Sequence, residues 1–131
     1  MKIKKPVPFD FVFDHLYPLA LTLRPMFGLT AIYVHGKIVM GLREHTKQTD
    51  RNGIWIATSS AHHEDLKIDL PSIISIAALG NESGWRLLPS AAEDFEEQAI
   101  RLCELIKSND VRIGKLPTPR KKKQIGSNNS R

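Results

Sequence analysis

One cysteine, Cys103, excludes an internal disulfide. A chain of 131 residues without crosslinks must be held by a buried apolar core, and that length suits a single domain. The lack of a disulfide agrees with a reducing cytoplasm, the expected location. Aromatic residues are scarce, at 7% of the total with two tryptophans. No apolar run approaches the ~18 residues that a membrane helix needs, so no membrane partner is expected. The opening MKIKKPVPFDFVFD begins basic, as a leader would. Pro6, Pro8, Asp10 and Asp14 then interrupt any apolar segment, and secretion is not expected.

Catalytic signatures are also missing. The chain has no glycine-rich phosphate loop, no GxSxG, no CxxC and no carboxylates grouped at ligand spacing. The reading is therefore of a protein that is not an enzyme, with no cofactor and no metal. His62-His63-Glu64 is the one local cluster with metal or acid–base character. Adjacent helical residues point about 100° apart and do not chelate one ion together. An HExxH pattern is absent too, because Leu66-Lys67 follows. The cluster reads as a solvated helix start. Cys103 falls in the later half of an amphipathic helix, away from the electropositive setting of a reactive thiol, and reads as a small buried hydrophobe.

Acidic residues are absent from one segment. Residues 115–131 carry Lys115, Arg120, Lys121, Lys122, Lys123 and Arg131 and no acid, whereas residues 1–114 hold the other 13 basic residues against all 14 acidic ones. The net charge of +5 thus lives at the termini, and a phosphate-gripping patch on the domain is not implied. Residues 115–131 have almost nothing to bury and read as a basic, disordered tail behind a domain of residues 1–114. Arg120, Lys121, Lys122 and Lys123 are candidates for a weak, salt-dependent hold on nucleic acid, and a solubilising role explains them equally.

What is present is a clear alternation of patterns. Phe9, Val12, Phe13 and Leu16 lie on one helical face, and Pro18 ends it. TAIYV (30–34) and KIVMGL (37–42) are rich in β-branched and aromatic side chains, and His35-Gly36 between them is a hairpin turn signal. A polar loop, 44–53, ends in the turn pair Asn52-Gly53, and IWIA (54–57) follows as a strand. Ser59 or Ser60 caps a helix that Pro71 closes. The isoleucines of SIISIAAL (72–79) favour a strand, and WRLL (85–88) is another. Ser90 and Glu93 form a capping-box pattern opening a helix over about 91–108, with Phe95, Ala99, Leu102, Cys103 and Ile106 as its apolar stripe. The order α-β-β-β-α-β-β-α describes an α+β two-layer domain, an antiparallel sheet of about five strands with helices on one face.

These residues carry a resemblance. RPMFGLTAIYVHGKIV (24–39) resembles the signature of the TfoX N-terminal domain family through Arg24, Met26, Phe27, Gly28, Ile32, Tyr33 and Gly36. GWRLLPSAAEDFEEQAIRLCELI is similar to the closing strand and helix of that family and of the related MmcQ/YjbR-like proteins. The resemblance spans about residues 9–108. It implies an α+β domain whose fold is also similar to the type III secretion chaperones, which work as dimers and bind other proteins. The founding TfoX proteins are associated with regulating competence for DNA uptake. Leu29 stands where the family usually has a second glycine, and Ala57-Thr58 where relatives commonly carry a lysine.

Two features bear on function. Tyr33, Trp55 and Trp85 fall on predicted strands; a sheet with one uncovered face would show some of them to solvent or to a partner. Arg24-Pro25-Met26-Phe27-Gly28 reads as the chain's entrance to the sheet. Pro25 holds Arg24 extended, Met26 and Phe27 fill the gap under the first helix, and Gly28 bends the chain. Arg24 is left over, since a guanidinium at an apolar junction needs acceptors from the protein or a ligand. The expected function is a binding or regulatory module acting through a protein partner or as a homodimer. Nucleic-acid association through the tail and a small-ligand site at Arg24, Tyr33 and Trp55 are the alternatives.

Overall fold

Helical spacing at the ends of the chain and period-two alternation between them lay out α1 (Phe11–Leu16), β1 (Leu21–Met26), β2 (Leu29–Val34), β3 (Lys37–Arg43), β4 (Gly53–Ala57), α2 (His63–Asp69), β5 (Trp85–Pro89) and α3 (Phe95–Lys107). The computed structural model describes residues 7–79 and 83–116. The strands form one antiparallel sheet in the order β1-β2-β3-β4-β5. Among the described residues, no helix is long and apolar enough to cross a membrane.

One side of the pleat is the core. Val12 and Leu16 of α1, Leu66 of α2 and Phe95, Ala99, Leu102, Cys103 and Ile106 of α3 pack against Ile32, Val34, Met40, Leu42, Ile54, Ile56 and Leu88. Fully burying such an aliphatic side chain contributes about 1.5–3 kcal/mol, so this layer dominates stability. Phe9 closes the α1–α3 junction edge-on to Phe95, with ring centroids 5.1 Å apart. Cys103 is wholly buried, its Sγ 3.8 Å from the Val12 carbonyl, and burial pushes its thiol pKa up to about 12. The expected two-layer α+β class is therefore what the chain adopts.

Several local expectations are corrected. Residues 72–79 are not a strand of the sheet. Ile74 makes an isolated bridge to Leu87, and the chain then coils into a 3-10 turn at Ala77–Leu79. Ile73 and Ile76 are spaced by three and both are buried, a helical spacing that overrides strand propensity. The fifth strand is instead β1, so the RPM of the entrance is part of the sheet. Pro25 is tolerated because β1 is an edge. A two-residue hairpin closed by Met26–Leu29 turns the Pro25 nitrogen away from β2, where no ladder bond is lost. Helix α3 starts at Phe95, later than expected. Ser90 donates its backbone N–H to Asn52 O rather than opening the helix, and Asp94 accepts from the Ser72 hydroxyl. Ser59 likewise makes no side-chain cap; its hydroxyl meets His62 Nδ1 at 3.1 Å.

Asn52-Gly53 is not a turn either. Asn52 is extended and pins the preceding loop: Oδ1 accepts from Arg43 Nη1 (2.7 Å) and His45 N (2.9 Å), and Nδ2 donates to His45 O (2.9 Å). Arg43, only 8% exposed, also donates to Gln48 O and Lys47 O. Gly53 has φ +139, and a Cβ there would strike the Leu88 carbonyl of β5. Replacing Gly53 by Ala should destabilise the fold by about 3 kcal/mol or more, read as a lower urea midpoint with unchanged slope.

An ionic knot ties the helices to the segment after α3. Arg112 Nη2 lies 2.9 Å from Asp69 and 2.8 Å from Asp110, and Arg101 lies 2.8 Å from Asp69. Hydrogen bonding from Arg112 lowers Asp110 from 3.8 to about 2, and hydrogen bonds from Arg101 and then Arg112 lower Asp69. Both carboxylates have folded-state values below their unfolded ones. Their contribution is complete above the ordinary carboxylate range and is lost as pH falls through it towards about 2. The urea midpoint of the wild type should fall across that window, and Arg112→Met should lower the neutral-pH midpoint while flattening the acid limb.

Candidate binding face

Period two also builds the side of the sheet that no helix among the described residues covers. Arg24, Ala31, Gly41, Trp55 and Leu87 form one row across it, each opposite the next in the strand register. Tyr33 pairs with Ile38 beside this row, and Ala57 with Trp85. Leu29, Ala31, Ile38 and Ala57 make a second buried cluster, separate from the main core, with Met26, Tyr33, Trp55 and Trp85 packed on it. The small residues Ala31, Gly41 and Ala57 are buried beneath the larger side chains of this face. Leu29 lies over Gly41, where a Cβ would come 2.6 Å from Leu29 Cδ1 and push that side chain aside.

All four candidates from the sequence, Arg24, Tyr33, Trp55 and Trp85, stand on this face, at two ends of it. Arg24 is exposed and sets its guanidinium 5.7 Å from the Tyr33 ring centroid. Arg24 therefore does not sit at an apolar junction under the first helix. It makes no hydrogen bond or ion pair among the described residues. Together with Thr22, His35 and Gly36 it borders a groove of about 320 Å³. At the other end Trp55 and Trp85 meet edge to face at 6.4 Å. The Trp55 indole N–H donates to Arg51 O at 3.0 Å, which satisfies its polar end and fixes the ring. A slot of about 310 Å³ opens there between Met26, Phe27, Trp55, Leu79, Trp85 and Lys115.

Met26 and Phe27 do not fill a gap beneath α1. Met26 ends β1 on the outer face. Phe27 and Gly28 are the two turn residues of the β1–β2 hairpin, with φ of +51 and +80. His35 and Gly36 repeat that geometry at the next hairpin, as expected, with φ of +54 and +80. A bulky residue with positive φ is strained by roughly 1–2 kcal/mol. Phe27 bears that strain while its ring is 90% exposed.

Lys115 is the member that sequence reasoning assigned elsewhere, to the tail. Its backbone exchanges two hydrogen bonds with Ile38, at 2.9 and 3.0 Å, where β4 has diverged from β3. Its ammonium then lies 5.3 Å from the Trp85 ring centroid, over Gly84, whose missing Cβ leaves the room. Nothing in a lysine beginning a Pro- and Lys-rich stretch announces a sheet partner. Arg120, Lys121, Lys122 and Lys123 lie outside the described residues.

The remaining candidates are elsewhere. His62 and His63 are both half-buried rather than solvated. His63 Nε2 has no hydrogen-bond partner among the described residues, and burial, then the Arg86 guanidinium, lowers the His63 pKa. Among the described residues no three His, Cys, Asp or Glu side chains gather to hold a metal.

The strain at Phe27 is testable. Asn-Gly is the favoured pair for this turn, so Phe27→Asn should leave the fold intact and raise its stability by about 1 kcal/mol, measured by urea denaturation. A drop in stability would mean that the exposed ring is part of the fold. Compared with known proteins, the chain matches no family model, no curated protein and no solved structure.

Proposed function

We propose that this chain is a non-enzymatic binding module of the TfoX N-terminal type, working in the cytoplasm, that docks another protein on the outer face of its sheet. The observation that carries this reading is Phe27. A 90% exposed aromatic held in a strained turn beside an apolar slot lowers stability and adds nothing to the core. Contact with a partner would bury it together with Trp55 and Trp85, and aromatic anchors of this kind dominate interface energies.

Charge favours a different protein over a second copy. None of the five strands contains an aspartate or glutamate, while Arg24 and Lys115 stand at the two ends of the outer face. Two copies meeting through this face would bring four cations together without a carboxylate from any strand. The non-enzymatic part of the reading rests on the sequence, which carries no catalytic motif.

Random-peptide display on the immobilised protein tests the proposal, followed by affinity measurement on Phe27→Asn. Selected peptides should bind the wild type and lose about tenfold or more on the variant, the size of a hot-spot loss. The protein itself should sediment as a monomer. Peptides that bind both proteins equally would overturn the reading. A dimer abolished by Phe27→Asn would replace the partner with a second copy.

A further inference from the structure

We infer that the partner segment is acidic and extended, with one aromatic or long aliphatic side chain seated in the slot, a carboxylate beside it on Lys115, and a second carboxylate four residues along on Arg24. This inference rests on the outer face being the docking surface.

The slot sets the anchor. Its volume of about 310 Å³ is at the small end for ligand pockets, and it suits a single large side chain better than an extended ligand. Its walls are the thioether of Met26, the rings of Phe27, Trp55 and Trp85, and Leu79, which is 43% exposed. Met26 adapts to irregular shapes, and the Trp55 ring is already held by its bond to Arg51 O. An apolar group entering this slot therefore meets walls that need little reordering.

The cation sets the neighbour. Lys115 is half-buried, lies over the Trp85 ring, and has no carboxylate within ion-pair distance among the described residues. The ring supports the ammonium while leaving its other donors unused. A carboxylate adjacent to the anchor would meet them in a partly desolvated setting, where a charged hydrogen bond is stronger than in water.

The sheet sets the spacing. Arg24 and Trp55 occupy one row of the register, three strand intervals apart, which is about 14 Å. An extended chain rises about 3.3 Å per residue, so an anchor seated against the Trp55 wall of the slot lies four residues from Arg24, and positions i and i+4 point to the same side. Between the two ends the surface is closed and apolar, with Ala31 wholly buried and Leu29 lying over Gly41. Arg24 lies at the far end and is likewise without an ion pair among the described residues.

The acetylated, amidated peptide Asp-Phe-Ser-Gly-Ser-Glu embodies this spacing. Titrated into the isotopically labelled full chain, it should shift the indole N–H signals of Trp55 and Trp85. Replacing its two acids by amides should weaken binding about fivefold or more, and Phe→Ala in the peptide should weaken it further. Lys115→Gln should cut affinity for the acidic peptide part of the way to the level of the amide peptide, since the pair with Arg24 remains, and leave the amide peptide's affinity unchanged. Equal binding of the acidic and amide peptides would overturn this inference. If that shared binding is still lost in Phe27→Asn, the docking face itself survives. Binding unaffected by Phe27→Asn would remove both. Tighter binding of oligo-dT than of the peptide, also lost in Phe27→Asn, would assign the face to single-stranded nucleic acid instead.

Discussion

A pleated sheet has two sides, and the described residues of this chain supply one layer of helices to cover them. The main core therefore draws on β2 to β5, with alternate residues interrupted once by a bulge beside Ile32 and Tyr33: Ile32 and Val34, Val39, Met40 and Leu42, Ile54 and Ile56, Leu88. The residues between them are obliged to point the other way. That obligation puts Tyr33, Trp55 and Trp85 on a face without helices, and every functional statement about the protein descends from it. The face is made partly dry by its own side chains, Leu29 lying over Gly41 and Met26, Trp55 and Trp85 leaning on the small residues. It is finished from outside the strands by Lys115 and Leu79.

Two kinds of polar contact hold this arrangement in register. Arg43 and Asn52 convert a long polar loop into a compact turn between β3 and β4, so that Trp55 emerges at a fixed point with its indole N–H satisfied by Arg51. Arg112, Asp69, Asp110 and Arg101 clamp the chain after α3 against α2, and three residues later Lys115 enters the sheet beside Ile38. The Thr58 hydroxyl donates to Arg112 O at 2.6 Å, which joins the end of β4 to the same segment. The ionic knot on the helical side therefore positions a cation on the opposite side. Phe27 works against stability, being the one aromatic that combines strain with exposure.

Legibility differed by element for physical reasons. The α3 stripe, the Val12 and Leu16 face, the His35-Gly36 turn and the β2, β3, β4 and β5 patterns are local, and each is where its side chains place it. The Ser90 box failed because Asn52, far away in sequence, claims the Ser90 N–H. Strand 72–79 failed because Ile73 and Ile76 found core sites three residues apart. β1 was hidden by Pro25, whose tolerance depends on being at an edge, and edges are a property of the assembled sheet. Tyr33, Trp55 and Trp85 were legible as strand residues and Arg24 as part of the chain's entrance to the sheet, but the two grooves they border were not legible.

By itself, the sequence determined the α+β class, the antiparallel β2–β3 pairing through a two-residue turn, the helix-covered apolar core with Cys103 inside it, and the aromatic identity of the strands. Those follow from periodicity and turn chemistry, which act over a few residues. Only the tertiary structure decided which side of the sheet stays bare, that Phe27 is displayed rather than buried, and that Lys115 belongs to the domain and not to the tail. Each of those depends on strand register and on chain segments dozens of residues apart meeting in space, and no local pattern encodes such a meeting.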